Sequence, residues 1–113
     1  LEEKSEVMTV GERCYLMERV AEGFGQLVLE MEGLEEYPLV RDMVESVKDV
    51  KGVIIGRLVK LFEGVVRDKD AELVAACLRG FSSMGIEEEA ERIFKDILVK
   101  PVLDQIVTKY LIF

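Results

Sequence analysis

The sequence contains no histidine and no tryptophan, only two cysteines and two prolines, and only 15 basic side chains against 23 acidic ones in 113 residues. Without histidine, His-dependent catalytic triads, imidazole acid–base catalysis and histidine metal sites are excluded. The formal net charge of −8 argues against nucleic acid as a ligand, because neutralising phosphates requires clustered Lys and Arg. The composition therefore argues against both an enzyme and a nucleic-acid-binding protein.

Long apolar runs are also absent. Charged side chains interrupt every apolar stretch before it reaches the ~18 residues of a membrane span. The first residues, LEEKSEVM, lack the basic-then-apolar order of a signal peptide. We therefore expect no direct membrane insertion. Because the sequence starts without Met and stops on an apolar YLIF, we interpret it as an internal piece of a longer protein.

Cys14 and Cys77 are separated by 63 positions, with no CxxC spacing and no further Cys to complete a zinc site. We interpret them as reduced core thiols of a cytosolic protein, in preference to a disulfide. The nine glycines form no phosphate-binding motif. We therefore expect no metal, no cofactor and no catalytic residues.

Apolar side chains instead recur every three or four positions, which is the period of an amphipathic helix, and no segment keeps the period of two that is typical of a strand. The pattern predicts helices over residues 5–32, 38–66, 70–83, 86–99 and 101–111. Gly33 and Pro38 separate the first two, Asp70 is placed as the N-cap of the third, and Lys100-Pro101 is expected to kink or break the chain before the last. The apolar stripes of the first, second and last helices are, in that order, Val7, Val10, Cys14, Met17, Ala21, Phe24, Val28 and Met31; then Met43, Val47, Val50, Ile54, Leu58, Leu61 and Val65; and then Val102, Leu103, Ile106, Val107 and Tyr110.

Residues 1–113 are therefore expected to form a single all-α domain, a four- to five-helix antiparallel bundle with short connections. Leu16, Val20 and Leu27 lie beside the first stripe and widen it, which favours a bundle helix over a coiled-coil seam with another chain. Gly25 on this helix suggests close approach of a neighbour.

Charge is distributed unevenly along the chain. Residues 1–36 hold ten acidic and three basic side chains, whereas residues 37–69 hold five acidic and seven basic ones. The acids that crowd the first bend could meet a basic partner or the basic face of the second helix, although a solvated surface explains them as well. The candidate partner-binding residues are Glu30, Glu32, Glu35, Glu36, Arg57, Lys60 and Arg67.

The chain resembles the family of subunit 2 of the conserved oligomeric Golgi complex, a multisubunit vesicle tether. The resemblance extends from about residue 13 to residue 110, and the matching positions occur in the same order without gaps. The matching positions are Leu16-Met17-Glu18-Arg19-Val20-Ala21, Phe24, Gln26-Leu27, Cys77-Leu78-Arg79, Ala90-Glu91, Leu98-Val99-Lys100-Pro101, Asp104 and Ile106.

This resemblance implies a helical-rod subunit without catalytic residues, peripheral on the cytoplasmic face of Golgi membranes. It implies a scaffold that supports subunit assembly and the tethering of retrograde intra-Golgi vesicles. The implied partners are the other subunits of that complex, with SNARE, Rab or coat proteins as further candidates.

Two other functions are considered. A peptide-binding adaptor of the tetratricopeptide type predicts an open groove between the third and fourth helices, lined by Phe81, Phe94 and Arg92. A small carboxylate enzyme requires converging acids such as Glu63, Asp68 and Glu91 in a deep pocket.

Overall fold

The computed structural model describes residues 8–110, and every regular element in that range is helical. The helices are α1 (Val10–Glu32), α2 (Pro38–Arg67), α3 (Ala71–Ser83), α4 (Glu87–Phe94) and α5 (Lys100–Tyr110), and a π-helical turn, Lys95–Val99, joins α4 to α5. The prediction of an all-α helical bundle is confirmed.

Local sequence signals set the helix ends. The Thr9 hydroxyl accepts a hydrogen bond from the backbone N–H of Glu12, whose carboxylate accepts one from the N–H of Thr9, so a reciprocal capping box starts α1. Because Thr9 caps the helix, α1 begins at Val10 and not near residue 5, where the apolar period predicts its start; residues 5–7, including Val7, lie outside the described range. Pro38 occupies the first turn of α2, and Asp70 accepts a hydrogen bond from the N–H of Leu73, both as predicted.

The core lies among the first three helices and is closed on one side by α4. The chain runs up α1, down α2 and up α3, so α1 and α3 are parallel and α2 is antiparallel to both. Phe62 of α2 meets Phe81 of α3 edge to face, with ring centroids 5.1 Å apart. The buried side chains are Cys14, Met17, Ala21, Phe24, Ile54, Leu58, Phe62, Val65, Val66, Ala76, Cys77, Phe81, Ala90 and Ile93.

Helices α1 and α3 approach closely along their whole contact. The Sγ atoms of Cys14 and Cys77, both fully buried free thiols, are 3.6 Å apart. A Cβ atom added at Gly25 would lie 2.5 Å from the Ser83 carbonyl oxygen, so only glycine allows this approach, as the sequence suggested. These contacts account for the core position of both cysteines.

At Lys100-Pro101 the sequence predicts a kink or a break, and no break occurs there. Helical backbone continues from Glu87 to Tyr110 without a break, because a π turn takes up the irregularity that Pro101 introduces. Within this turn Lys100 donates its N–H to the carbonyl of Lys95, five residues back. Among the described elements α5 contacts this turn alone, and its apolar stripe, expected to face inward, is exposed throughout: Val102, Leu103, Ile106, Val107 and Tyr110.

The hairpin of α1 and α2 extends beyond the end of α3. No side chain from residue 25 to residue 53 is fully buried, and Met43 and Val50, expected in the α2 stripe, are 46% and 50% exposed. Val10, at the start of the α1 stripe, is likewise exposed because it lies in the first turn. The radius of gyration is 18.3 Å, whereas a compact chain of this length has one of about 13 Å. The molecule is thus elongated, 65 × 43 × 19 Å.

Candidate functional site

The charged residues predicted to bind partners form two groups at opposite ends of the α1–α2 hairpin. Glu30 and Glu32 end α1, Glu35 and Glu36 lie in the following loop, and all four are exposed. The exposed Arg57, Lys60 and Arg67 lie on the second half of α2. Because α2 rises about 1.5 Å per residue, roughly 30 Å of helix separates the loop from the first of these bases. The structure therefore does not bring the acids onto the basic face of their own chain.

Two of the basic residues instead border a groove between α1 and α2. It has a volume of about 570 Å³ and is lined by Met8, Arg13, Leu16 and Met17 on one side and by Arg57, Lys60 and Leu61 on the other. Met17 and Leu61 provide an apolar floor, and the three cationic side chains stand exposed around it. None of the ion pairs between described residues involves these three cations.

An apolar strip continues from this groove along the hairpin. On α1, Leu16, Val20 and Leu27 are 40%, 37% and 42% exposed, and their spacing places them on one flank of the helix. On α2, Val50 and Val53 are 50% and 56% exposed and share a flank with Arg57. Because the helices are antiparallel and Leu16 and Met17 lie opposite Leu61, the two flanks adjoin on the side away from α3. We call the groove and this strip together the hairpin face.

Sequence reasoning identified only part of this face. Arg57 and Lys60 were predicted from charge, and Leu16, Val20 and Leu27 were noted as widening the apolar stripe of α1. Arg13 and Leu61 were missed as members of a groove. The signal for Arg13 was its position three residues before Leu16 on the same flank, but the sequence did not reveal which helix would lie beside it.

The groove expected for a peptide-binding adaptor is not formed by its predicted residues. Phe81 is fully buried against Phe62, whereas Phe94 is 40% exposed. The side chain of Arg92 is bound by its own helix: it donates a hydrogen bond to Glu89, which is the main reason that the pKa of its guanidinium is raised. The three side chains therefore do not face one another across a common groove between α3 and α4.

The acids considered for catalysis occupy separate positions. Glu63 is half-buried on α2, Asp68 is exposed just after the end of α2, and Glu91 on α4 pairs with Lys95 at 3.5 Å. Within residues 8–110 no three Cys, Asp or Glu side chains are placed to hold a metal ion. Nor does any helix in this part of the chain combine the length and apolarity that crossing a bilayer requires.

Comparison with known proteins gives one distant relation. No family model matches the chain, and no solved structure matches it at a significant level. Among curated proteins, the chain is similar to conserved oligomeric Golgi complex subunit 2 of Arabidopsis thaliana, with 24% identity over 93 residues. The match covers 82% of this chain but spans only 12% of the length of that relative. The chain is thus distantly similar to a short stretch of a Golgi complex subunit.

Proposed function

We propose that the chain is a non-enzymatic helical scaffold module of a Golgi vesicle-tethering complex. The observation that supports this is the 24% identity with conserved oligomeric Golgi complex subunit 2 over 82% of a chain that folds as an elongated helical bundle. The proposed role is to support subunit assembly and the tethering of retrograde intra-Golgi vesicles from the cytoplasmic face of the Golgi, as a peripheral component. Its proposed partners are the other subunits of that complex, followed by SNARE, Rab or coat proteins.

The proposed mechanism is mechanical. A packed core of three helices closed by a fourth fixes the relative orientation of α1, α2 and α3. The part of the hairpin that packs on α3 then holds attached helices at a set distance and angle. Several weak contacts of this kind, joined in one chain, give a high overall affinity because each binding event raises the effective concentration for the next.

Co-purification tests this function. The full-length gene product, affinity-tagged and expressed in its native cells, is isolated and its partners are identified by mass spectrometry, with a tagged unrelated helical bundle as control. We expect other Golgi-tether subunits to be recovered with the tagged protein only. Recovery of none of them would overturn the proposal.

A deletion of residues 38–110 tests the contribution of this bundle within the gene product. We expect the shortened protein to lose those subunits and the cells to show defective Golgi trafficking, measured as incomplete glycan processing. Normal glycan processing together with unchanged recovery of the subunits would contradict a scaffold role for this part.

A further inference from the structure

We propose that the hairpin face binds an amphipathic helix of a partner protein, with acidic side chains of that helix clustered at one end. The inference specifies the partner chemistry of the scaffold role proposed above and rests on that role. It depends on one arrangement, an exposed apolar strip that leads into a groove bordered by Arg13, Arg57 and Lys60.

The apolar part of the face has the geometry of a helix-binding groove. Two antiparallel helices border it, and each contributes side chains at helical spacing: Leu16, Val20 and Leu27 from α1, and Val50 and Val53 from α2. Isolated apolar side chains are common on protein surfaces, but a contiguous strip with a charged rim is typical of an interaction site. From Arg13 to Leu27 the hairpin face measures about 21 Å along α1, which is the length of about four turns of an occupying helix.

Charge selects an acidic occupant and sets its direction. Three cationic side chains surround one end of the strip in a chain with a formal net charge of −8, and no ion pair between described residues involves them. Carboxylates of a partner would face these cations across the rim, where such pairs increase the association rate and fix the register. These cations lie at the groove end of the strip, so the acidic end of the partner helix is expected above Arg57 and Lys60.

The direct test uses synthetic helical peptides as probes. A fluorescein-labelled peptide of about 16 residues carries leucines at every third or fourth position and glutamates flanking them in one half, enough to cover the strip. A second peptide has lysines in place of the glutamates. We expect the acidic peptide to bind the chain with a Kd about tenfold lower than the lysine peptide, measured by fluorescence anisotropy, and to lose affinity as salt is raised.

Matched variants locate the binding site. Arg57→Glu with Lys60→Glu reverses two charges on the rim, and Arg41→Glu with Lys48→Glu makes the same change on the opposite flank of α2, where both residues are exposed. We expect the first pair to weaken the acidic peptide about tenfold and to favour the lysine peptide, and the second pair to change neither. Val53→Gln should weaken both peptides, whereas Leu78→Gln, on α3, should not. Circular dichroism confirms that each variant is folded.

Three results would overturn the inference: binding of neither peptide, equal binding of both, or equal effects of the two charge-reversed pairs. A further test is sedimentation velocity of the wild-type chain. If the chain forms dimers and the Arg57→Glu, Lys60→Glu variant does not, a second copy of the chain occupies the face and the inference is overturned. Each of these outcomes is measured on the chain alone. Co-purification tests the scaffold role, and the peptide experiment tests the hairpin face. The two proposals can therefore fail independently of each other.

Discussion

The buried thiols of Cys14 and Cys77 make the free energy of unfolding depend on pH in the alkaline range. Burial raises the pKa of Cys77 to about 12 and raises the pKa of Cys14 above its ordinary value of 9.0. On unfolding, both thiols return to ordinary values and lose their protons near pH 9. The unfolded state then binds fewer protons than the folded state, so the free energy of unfolding falls as pH rises from about 9 towards 12.

Urea unfolding of the wild-type chain and of a Cys14→Ala, Cys77→Ala double variant, from about pH 8 to pH 11, checks this dependence. We expect the variant to be less stable at pH 8, because small cavities replace two buried sulfur atoms, but to lose less stability on the way to pH 11. Parallel stability curves for the two proteins would show that the thiols do not contribute to the pH dependence.

Two glycines on α1 provide a matched pair of substitutions. Gly23→Ala is expected to raise the free energy of unfolding by about 1 kcal/mol, because alanine favours helix and a Cβ there meets nothing within 4 Å. Gly25→Ala is expected to lower it by about 1–3 kcal/mol, because its Cβ would lie 2.5 Å from the Ser83 carbonyl and would push α3 away. Thermal and urea unfolding measure both. If Gly25→Ala were as stabilising as Gly23→Ala, the close approach of α1 and α3 would be disproved.

Among the elements, α5 is helical but contributes little to the packing of the bundle. None of its residues is buried, and within residues 8–110 the one element it contacts is the π turn from which it emerges. A chain that ends at Val99 is expected to keep its free energy of unfolding within about 0.5 kcal/mol, since exposed residues away from the core contribute little. It should also aggregate less, because the exposed apolar stripe of α5 is removed. Urea unfolding and light scattering test both effects; a loss of several kcal/mol would show that α5 packs on the bundle.

Helix positions were predictable where the signal was local. Gly33, Pro38 and Asp70 placed helix ends within a residue or two, because capping and proline geometry depend only on neighbouring positions. The apolar period identified the buried faces of α1 and of the second half of α2 for the same reason. The π turn before Pro101 was not predictable, since a proline can break a helix, kink it or be absorbed by a wider turn, and the sequence does not select among these.

The burial of each apolar stripe could not be predicted from the sequence alone, because it depends on which helices pack against that stripe. Met43 and Ile54 belong to the same apolar stripe of α2, but only Ile54 lies beside α3, so only Ile54 is buried. The hairpin face was predictable only in part, again because it depends on how the helices pack. Charge identified Arg57 and Lys60, but the groove exists because α1 lies beside them.

At the scale of the whole molecule, burial divides the hairpin into two parts. The fully buried side chains of α1 and α2 all lie at or before Phe24 and at or after Ile54, so the looped end of the hairpin lacks the support of α3. Local opening needs less free energy where few apolar contacts are buried. Within the hairpin we expect amide hydrogen exchange to be fastest in residues 28–50, and across the bundle we expect it to be slowest around Leu58, Phe62 and Cys77. Uniform protection along α2, measured by mass spectrometry, would contradict this gradient.

Because the hairpin extends beyond α3, we expect its looped end, around residues 28–50, to bend more easily than the end that packs on α3. The acids from Glu30 to Glu36 lie on the looped end, and the groove beside Arg57 lies near the other end. A force on the acidic tip would bend the two unsupported helical segments, and with them the Leu27 and Val50 end of the hairpin face, before it changed the shape of the groove.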